Sequence, residues 1–135
     1  MSEKSFQISI VTPNKTVFSG EGERFFAPSV EGYFEVLKNH LPFLSVLKIG
    51  KIIITQGDKK IHFSVSGGFA EVYKNRVIVL AETAETVDEI DVERAQKSKE
   101  RALRRIVDKS PSNDIERAKA SLLRALNRLS IAKMG

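Results

Sequence analysis

The sequence contains no cysteine, no tryptophan and only two histidines among its 135 residues. The lack of cysteine excludes a disulfide framework and thiol chemistry. Two histidines without clustered acids make a poor metal site, and no Ser/His/Asp set or paired-carboxylate motif stands out. The sequence therefore predicts a non-catalytic protein without a bound metal.

Long apolar runs are also absent. No stretch approaches the length of a membrane-spanning helix, and the first ten residues lack the apolar core of a signal peptide. Apolar residues still make up 41% of the chain, which is enough for a folded core. We therefore expect a soluble protein that reaches a membrane only through partners.

Charge and aromatic residues are unevenly distributed along the chain. Of the net charge of +5, residues 1–86 carry +1 and residues 87–135 carry +4. A basic tail predicts an acidic partner, such as nucleic acid, anionic lipid, nucleotide or an acidic protein surface. All ten aromatic residues precede residue 74, so the tail has none to stack on bases. A nucleic-acid-binding β-domain with a basic helical tail is nevertheless kept as the alternative function.

Residues 1–86 have the pattern of short β-strands separated by closely spaced turns, which indicates a sandwich or barrel. Lys74-Asn75 predicts a tight hairpin turn. Gly67-Gly68 lacks the lysine and Ser/Thr of a phosphate-binding loop, and a strand follows it, so we expect a bulge or close backbone approach there. The predicted strands cover 6–10, 16–18, 24–27, 51–55, 61–65, 69–73 and 76–80.

Residues 87–135 have helical periodicity, interrupted by the S-P-S-N segment at 110–113. The fold class predicted is therefore α+β: an N-terminal antiparallel β-sandwich over 1–86, followed by a C-terminal αα-hairpin over 87–135. The candidate N-caps are Thr86 in a capping box with Glu89, Asp88 or Asp91 for the first helix, and Asn113 for the second.

The two predicted helices differ in amphipathicity. The first has a weak apolar stripe, whereas the second keeps a clean spacing of three and four residues. Because neither helix is hydrophobic enough to fold securely alone, we expect a mobile hairpin. The stripe residues are Ile90, Ala95, Ala102, Leu103 and Ile106 in the first helix, and Ile115, Ala118, Leu122, Leu126 and Leu129 in the second.

Short motifs in a fixed order extend over nearly the whole chain. They are F-S-G at 18–20, E-G at 31–32, H-L-P at 40–42, L-K-x-G at 47–50, S-G-G-F-x-E-V at 66–72, V-x-V-L-A-E-x-A at 77–84 and I-D-V-E-R-A at 90–95. With this order and spacing, the chain resembles the epsilon subunits of bacterial and plastid F-type ATP synthases. The resemblance implies a β-sandwich of about ten strands followed by two helices. It also implies a central-stalk rotor subunit that couples the gamma subunit to the membrane c-ring for proton-driven ATP synthesis.

The resemblance implies a contact with the c-ring and gamma in a loop between early strands, here residues 31–42. An exposed Tyr33 or Phe34 would anchor it, since aromatic residues are favoured at interface centres; the alternative is that one of them is core. The chain departs from the family pattern at Tyr33-Phe34-Glu35 and at Lys38-Asn39, which replaces the usual Pro-Gly. The implied contact residues are Glu31, Tyr33, Phe34, His40 and Pro42.

The resemblance implies two states of the hairpin. Folded, it lies against the sandwich; extended, it rises along gamma into the catalytic head and blocks ATP hydrolysis. Basic side chains would then meet an acidic segment of the beta subunit in salt-sensitive contacts. The apolar stripe at 115–129 would pack on either the sandwich or gamma. The implied inhibitory residues are Arg101, Arg104, Arg105, Lys109, Arg117, Lys119, Arg124 and Arg128.

Some members of the family bind ATP on the folded hairpin through an Ile/Leu-Asp-x-x-Arg-Ala motif and further arginines. Ile90-Asp91-x-x-Arg94-Ala95 matches this motif, and bound ATP would favour the folded state. In the alternative, Asp91 is only an N-cap and Arg94 only an ion-pair partner. The implied ATP-binding residues are Glu85, Ile90, Asp91, Arg94, Ala95, Arg101, Arg124 and Arg128.

The implied partners are the gamma subunit, the c-ring and the alpha and beta subunits, with no nucleic acid and no direct insertion into the membrane. Regulatory ATP is the ligand implied, and no cofactor is required. The implied location is peripheral, on the cytoplasmic face of the bacterial inner membrane or the stromal face of the plastid thylakoid.

Overall fold

The computed structural model describes residues 3–108 and 114–134. The chain divides into two compact units, Met1–Thr86 and Val87–Gly135. The first is built of strands and the second of helices, so the predicted α+β class is confirmed. The elements of the described residues are β1 (Phe6–Val11), β2 (Thr16–Gly22), β3 (Arg24–Ser29), β4 (Gly32–Val36), β5 (Phe43–Gln56), β6 (Lys59–Tyr73), β7 (Arg76–Ala81), β8 (Ala84–Thr86), a 3₁₀ turn (Val87–Glu89), α1 (Val92–Val107) and α2 (Ile115–Ala132).

Hydrogen bonds join the strands in the order β2-β1-β7-β6-β5-β3-β4, and β8 pairs with β6. Strands β5 and β6 are 14 and 15 residues long, so each continues from one part of the sheet into another. The second half of β6 pairs with β7 and its first half with β8. Phe18 of β2 packs edge-on against Phe63 of β6 with ring centroids 5.8 Å apart, although the two strands are not neighbours in the sheet. This contact shows that the sheet folds over on itself.

The hydrophobic core lies between the folded-over parts of the sheet. On β1, Phe6, Ile8 and Ile10 are buried while the residues between them are more exposed, as the alternation predicts. Phe25 and Phe63 are the largest fully buried side chains. Burial of each such side chain contributes about 1.5–3 kcal/mol to folding, so this unit carries a core of its own.

The Gly67-Gly68 pair lies within β6 rather than between two strands. The predicted strands 61–65 and 69–73 are therefore one strand. Both glycines have positive φ, +97° and +126°. A Cβ atom on Gly68 would lie 2.1 Å from the carbonyl oxygen of Leu80 and 2.8 Å from the Cα of Ala81. The predicted close backbone approach is confirmed, and its partner is the end of β7.

The segment 31–42 is not the loop that the sequence predicted throughout, because it contains β4. This strand pairs with β3, with Tyr33 opposite Pro28 and Phe34 opposite Ala27. Its side chains alternate between exposed and inward positions. The prediction missed the strand because five residues beginning with glycine give too short a pattern. The predicted two-residue turn at 74–75 is confirmed, since Tyr73 pairs with Arg76 across it.

Each α-helix begins at an aspartate whose side chain accepts a backbone hydrogen bond. Asp91 caps α1 by accepting from the N–H of Arg94 at 3.0 Å, so of the three predicted alternatives Asp91 is correct and Thr86, in β8, is wrong. Asp114 caps α2 and accepts from the N–H of Arg117 at 3.1 Å. The predicted cap Asn113, the S-P-S-N segment and Lys109 lie outside the described residues.

Helices α1 and α2 pack along a line of small side chains, the alanine seam, made of Ala95 and Ala102 on α1 and Ala118 and Ala125 on α2. All four are at most 4% exposed, and the two on each helix are seven residues apart, on one face. Two predicted stripe residues are not buried: Leu103 is 43% and Leu126 41% exposed. Three of the four seam residues, Ala95, Ala102 and Ala118, belong to the predicted stripes, whereas Ala125 was not predicted.

Candidate functional site

An exposed apolar face lies on the outer side of β5, β6 and β7. Val46 is paired with Phe69, and Phe69 with Leu80, so the three side chains form one row across three strands. Leu44 lies on the same side of β5, two residues from Val46. The exposed fractions are 46% for Val46, 50% for Phe69, 56% for Leu80 and 65% for Leu44. Adjacent large apolar side chains at this exposure are typical of a protein-binding surface.

A shallow cleft of about 440 Å³ continues this apolar face beyond Phe69 and Leu80. Its other lining residues are 11–13 at the end of β1, Gly68, Ala81 and Glu82. The cleft gives the apolar face a depression into which a partner's side chain can insert, a common feature of interface centres.

Tyr33, predicted as an interface anchor, is held rigidly at the surface. Its ring is 45% exposed and stacks on Phe26 with centroids 4.7 Å apart and planes within 9°. Its hydroxyl accepts a hydrogen bond from the backbone N–H of Lys51 at 3.3 Å. The ammonium of Lys48 lies 5.9 Å from the ring centroid. An exposed aromatic ring that is already ordered loses little entropy on binding.

Phe34, the other predicted anchor, faces inward, which settles the alternative that the sequence left open. Its ring packs against Phe25 and Phe43, with centroid distances of 6.2 and 5.3 Å. Phe34 is therefore half-buried and packs against the core, as the alternative from the sequence has it, and its role as a contact residue stays a prediction. The side chain of Glu31 is exposed, and its backbone N–H donates to the hydroxyl of Ser29 at 3.0 Å.

The loop that follows β4 contains the predicted contact residues His40 and Pro42. Asn39 has a φ of +66°, the left-handed conformation that glycine adopts most easily and asparagine tolerates. Asn39 can therefore replace the family's glycine here without changing the backbone. The imidazole Nδ1 of His40 donates to the carbonyl of Leu41 at 2.8 Å, and Pro42 is exposed. Leu41, 80% exposed, projects beside them.

The predicted ATP-binding residues lie on β8, α1, α2 and the segment before α1, and Arg101 and Arg124 line one groove. Asp91, Arg94 and Arg101 line a cleft of about 630 Å³ along α1, together with Arg104. One carboxylate oxygen of Asp91 is engaged as the N-cap. Ile90 and Ala95 are buried, so they serve packing. Three further residues complete the predicted set: Glu85 lies in β8 of the first unit, and Arg124 and Arg128 are half-buried on α2.

A second cleft, the hairpin groove, lies between α1 and α2 and has a volume of about 540 Å³. Ala102 and Ala118 of the alanine seam, both buried, are among its lining residues. Its other lining residues are Ser98, Arg101, Arg105, Asp114, Arg117, Ser121 and Arg124. The groove thus unites four of the arginines that the sequence predicted as inhibitory contacts.

His62 on β6 has a displaced pKa. Burial lowers the pKa of the His62 imidazole, and the positive charges of Lys51 and Lys60 lower it further. Its ring is half-buried on β6, opposite Ile53 of β5, rather than fully solvated as the alternation predicted. No group of three or more acids or histidines in the described residues could hold a metal ion.

Sequence reasoning missed the apolar face and the two serines of the hairpin groove. Strand β5 was predicted only from residue 51, so the exposed side of 43–50 was not considered. The alternation of Leu44 and Val46 with Ser45 and Leu47 was the available signal. Ser98 and Ser121 each precede an arginine by three residues, one helical turn, which was the signal for the groove.

Comparison with known protein families matches both units of the chain. Residues 5–87 match the ATP synthase delta/epsilon chain β-sandwich domain, and residues 88–133 match the ATP synthase delta/epsilon chain long α-helix domain. Among solved structures, a chain of the Euglena gracilis mitochondrial ATP synthase (OSCP/F1/c-ring) aligns with a TM-score of 0.80 at 21% identity, covering 95% of this chain and 80% of that one. At this identity the likeness shows the fold alone.

Curated relatives support the same family at higher identity. The ATP synthase epsilon chain of Desulforamulus reducens is 43% identical over 130 residues, 96% of this chain and 98% of the relative. That of Brevibacillus brevis is 46% identical over 127 residues, 93% of this chain and 96% of the relative. No described helix has the length and apolar character needed to cross a membrane. The chain belongs to the delta/epsilon chain family of ATP synthases, whose members are non-catalytic subunits of that complex, as the sequence predicts.

Proposed function

We propose that this subunit couples gamma to the c-ring through its β-unit and restrains ATP hydrolysis through its helical hairpin. The observation that carries this proposal is the division of exposed surface between the two units. The β-unit has an apolar face suited to permanent contact, whereas the hairpin has a basic surface suited to reversible contact. The subunit is peripheral to the membrane complex; the cytoplasmic or stromal side is part of this proposal.

The apolar face is the proposed binding surface for gamma. Buried apolar area stabilises association, and a row of three side chains on central strands is rigid and continuous. Phe69→Ser and Leu80→Ser in the full chain should each weaken association with gamma about tenfold or more, the size expected of interface hot spots. Val107→Ser is the matched control, since Val107 is 77% exposed on α1. Unchanged gamma affinity in both variants would refute this assignment.

The c-ring contact is proposed for Tyr33, Glu31 and the loop at 37–42. The ring of Tyr33 is exposed and held in place by stacking on Phe26. His40, Leu41 and Pro42 lie in the loop that follows β4. Phe34 is half-buried against the core, so it supports the position of this segment more than it offers contact area. Tyr33→Ser should loosen the c-ring contact and leave gamma binding through the apolar face unchanged.

The inhibitory contact is proposed for the basic side chains of the hairpin. Among the described residues, the arginines of the hairpin groove form no ion pair, so their charge is available to an acidic partner. Because exposed charge contacts are screened by salt, inhibition should weaken as ionic strength rises. The residues proposed for this contact are Arg101, Arg104, Arg105, Arg117, Arg124 and Arg128.

ATP is proposed as the ligand that favours the folded hairpin. Support comes from the cleft along α1, where Arg94 and Arg101 present exposed guanidinium groups beside the cap at Asp91. Arg124 extends this positive surface onto α2. A ligand shifts an equilibrium only by its differential affinity for the two states, so ATP must bind the folded hairpin more tightly than the extended one.

The test is ATP hydrolysis by a catalytic complex that lacks this subunit. The full chain or residues 1–86 are added back, the latter after near-ultraviolet circular dichroism has shown that the β-unit is folded. We expect both to bind and only the full chain to suppress hydrolysis, with relief by ATP that is lost in Arg94→Gln. If both bind and neither inhibits, the subunit is a coupling spacer and the regulatory proposal is wrong.

A further inference from the structure

The apolar face contains a negatively charged side chain, that of Glu71 on β6. Glu71 lies two residues from Phe69 along the strand, and the register places it opposite Leu44 of β5 and opposite Ile78 of β7. It alternates with buried residues of β6, so its side chain points outward with those of the apolar face. Side chains directly opposite each other in a sheet have Cβ atoms about 4.5–5.5 Å apart, so the carboxylate stands between two apolar side chains.

The carboxylate of Glu71 has no partner in the part of the chain that the structure describes. It accepts no hydrogen bond and forms no ion pair there, although the residue is half-buried. The guanidinium at a diagonal position on β7, that of Arg76, lies instead over the ring of Tyr73, 5.0 Å from the ring centroid. Water therefore has to solvate the charge of Glu71 while the face is uncovered.

A partner that covers the apolar face removes this water. Leu44, Phe69 and Leu80 are neighbours of Glu71 on three strands, so a surface that packs on them also covers the carboxylate. A charge that is desolvated without a counter-charge opposes association, because its lost hydration is not replaced. A basic side chain of the partner, placed at the carboxylate, replaces the hydration with charge-assisted hydrogen bonds.

We propose that Glu71 is a specificity-determining residue of the apolar face, and that it binds an arginine or lysine side chain of gamma. The inference rests on the proposed binding of gamma to this face, and it defines the chemistry of the matching surface as one basic side chain surrounded by apolar ones. Apolar contact alone is non-directional. An ion pair enclosed by that contact selects one position of gamma, because every other position leaves Glu71 desolvated and unpaired.

The experiment measures the affinity of the full chain for the gamma-containing catalytic complex that lacks this subunit. Glu71→Gln should weaken binding about tenfold, the size expected for loss of a charge-assisted hydrogen bond. Glu71→Leu should weaken it at least as much, although leucine enlarges the apolar area. If the carboxylate were merely tolerated on the face, leucine would strengthen binding instead. Unchanged or tighter binding of the Glu71→Leu variant therefore overturns the inference.

The matched control is Asp58→Asn, which also removes one negative charge without changing the size of the side chain. Asp58 is exposed in the turn between β5 and β6, away from the apolar face. This control should keep the affinity within about threefold, the effect expected from a distant exposed charge. Rising ionic strength should weaken binding of the control and of the unsubstituted chain alike, and that of Glu71→Gln less. Equal losses in Asp58→Asn and Glu71→Gln would show a general charge effect and overturn the inference.

Thermal unfolding and variants of gamma separate the possible causes of a loss. The Glu71 variants should melt no lower than the unsubstituted chain, because the carboxylate has no partner within the described residues to lose. In double-mutant cycles with single Lys→Gln and Arg→Gln variants of gamma, one variant should be coupled to Glu71→Gln; coupling to none overturns the inference.

The variants Phe69→Ser and Leu80→Ser distinguish this inference from the proposed function on which it rests. If both weaken binding to the complex and neither Glu71 variant does, gamma binds the apolar face and only the role of Glu71 is wrong. If none of the four variants weakens binding, the assignment of the face to gamma and the inference both fail.

Discussion

Replacing Gly68 with alanine should destabilise the β-unit considerably more than the same change at Gly32. The two glycines have nearly the same φ, +126° and +127°, so a backbone strain of about 1–3 kcal/mol is common to both. A Cβ atom at Gly32 has no neighbour within 4 Å, whereas one at Gly68 meets the backbone of Leu80 and Ala81 at 2.1 and 2.8 Å. Strands β6 and β7 must therefore separate, which adds roughly 1–3 kcal/mol.

The assay is thermal unfolding followed by near-ultraviolet circular dichroism. All ten aromatic residues precede residue 74, so this signal reports the β-unit and not the hairpin. Because 1 kcal/mol shifts the Tm of a domain of this size by about 4–8 °C, Gly68→Ala should melt at least about 4 °C below Gly32→Ala. Equal melting temperatures would refute the reasoning, since backbone strain alone would then account for both variants.

Three further predictions concern the loop, the sheet and the hairpin. Asn39 has a φ of +66°, which glycine adopts without strain and alanine does not. In urea unfolding, Asn39→Gly should therefore change the free energy of unfolding by no more than about 0.5 kcal/mol, and Asn39→Ala should lower it by about 1 kcal/mol. Equal losses in the two variants would contradict this. Since burial lowers the pKa of His62 in the folded state, the unfolded chain takes up the proton first, so stability should fall as pH drops from about 7.5 to 5.5. The His62→Gln variant should lose less stability over this pH range. A pH profile of stability identical to that of the unsubstituted protein would show that His62 does not cause the loss. Ala102→Leu should overpack the seam, which destabilises the packing of α1 against α2 by about 1–3 kcal/mol. The opened hairpin should then inhibit ATP hydrolysis more strongly, whereas the control Gln96→Leu, at an exposed position of α1, should leave inhibition unchanged.

The elements that the sequence predicted well are those whose pattern is set by local chemistry. Alternation defined β1 and β7, the two-residue turn at 74–75 needs only its neighbours, and Asp91 caps α1 through a hydrogen bond three residues away. In each case the decisive contacts are within a few residues along the chain, so the sequence pattern and the structure report the same interaction.

The parts that could not be predicted depend on contacts between distant residues. Position 68 requires glycine because the backbone of Leu80 lies too close for a Cβ atom. Phe34 faces inward because its ring packs against Phe25 and Phe43. The apolar face exists only once β5, β6 and β7 align Val46, Phe69 and Leu80 in register. The hairpin groove likewise requires two helices side by side before its arginines become neighbours.

If the hairpin opens as proposed above, the alanine seam is one contribution to the free energy that separates its closed and open states. Four buried methyl groups contribute roughly 3 kcal/mol at about 0.8 kcal/mol each, which corresponds to a factor on the order of 100 in an equilibrium constant. A ligand at one hundred times its dissociation constant contributes about 2.7 kcal/mol, a similar amount. Under the proposed two-state scheme, the contribution of the seam is therefore comparable with what a ligand can supply, so ligand concentration would set the proportion of open molecules.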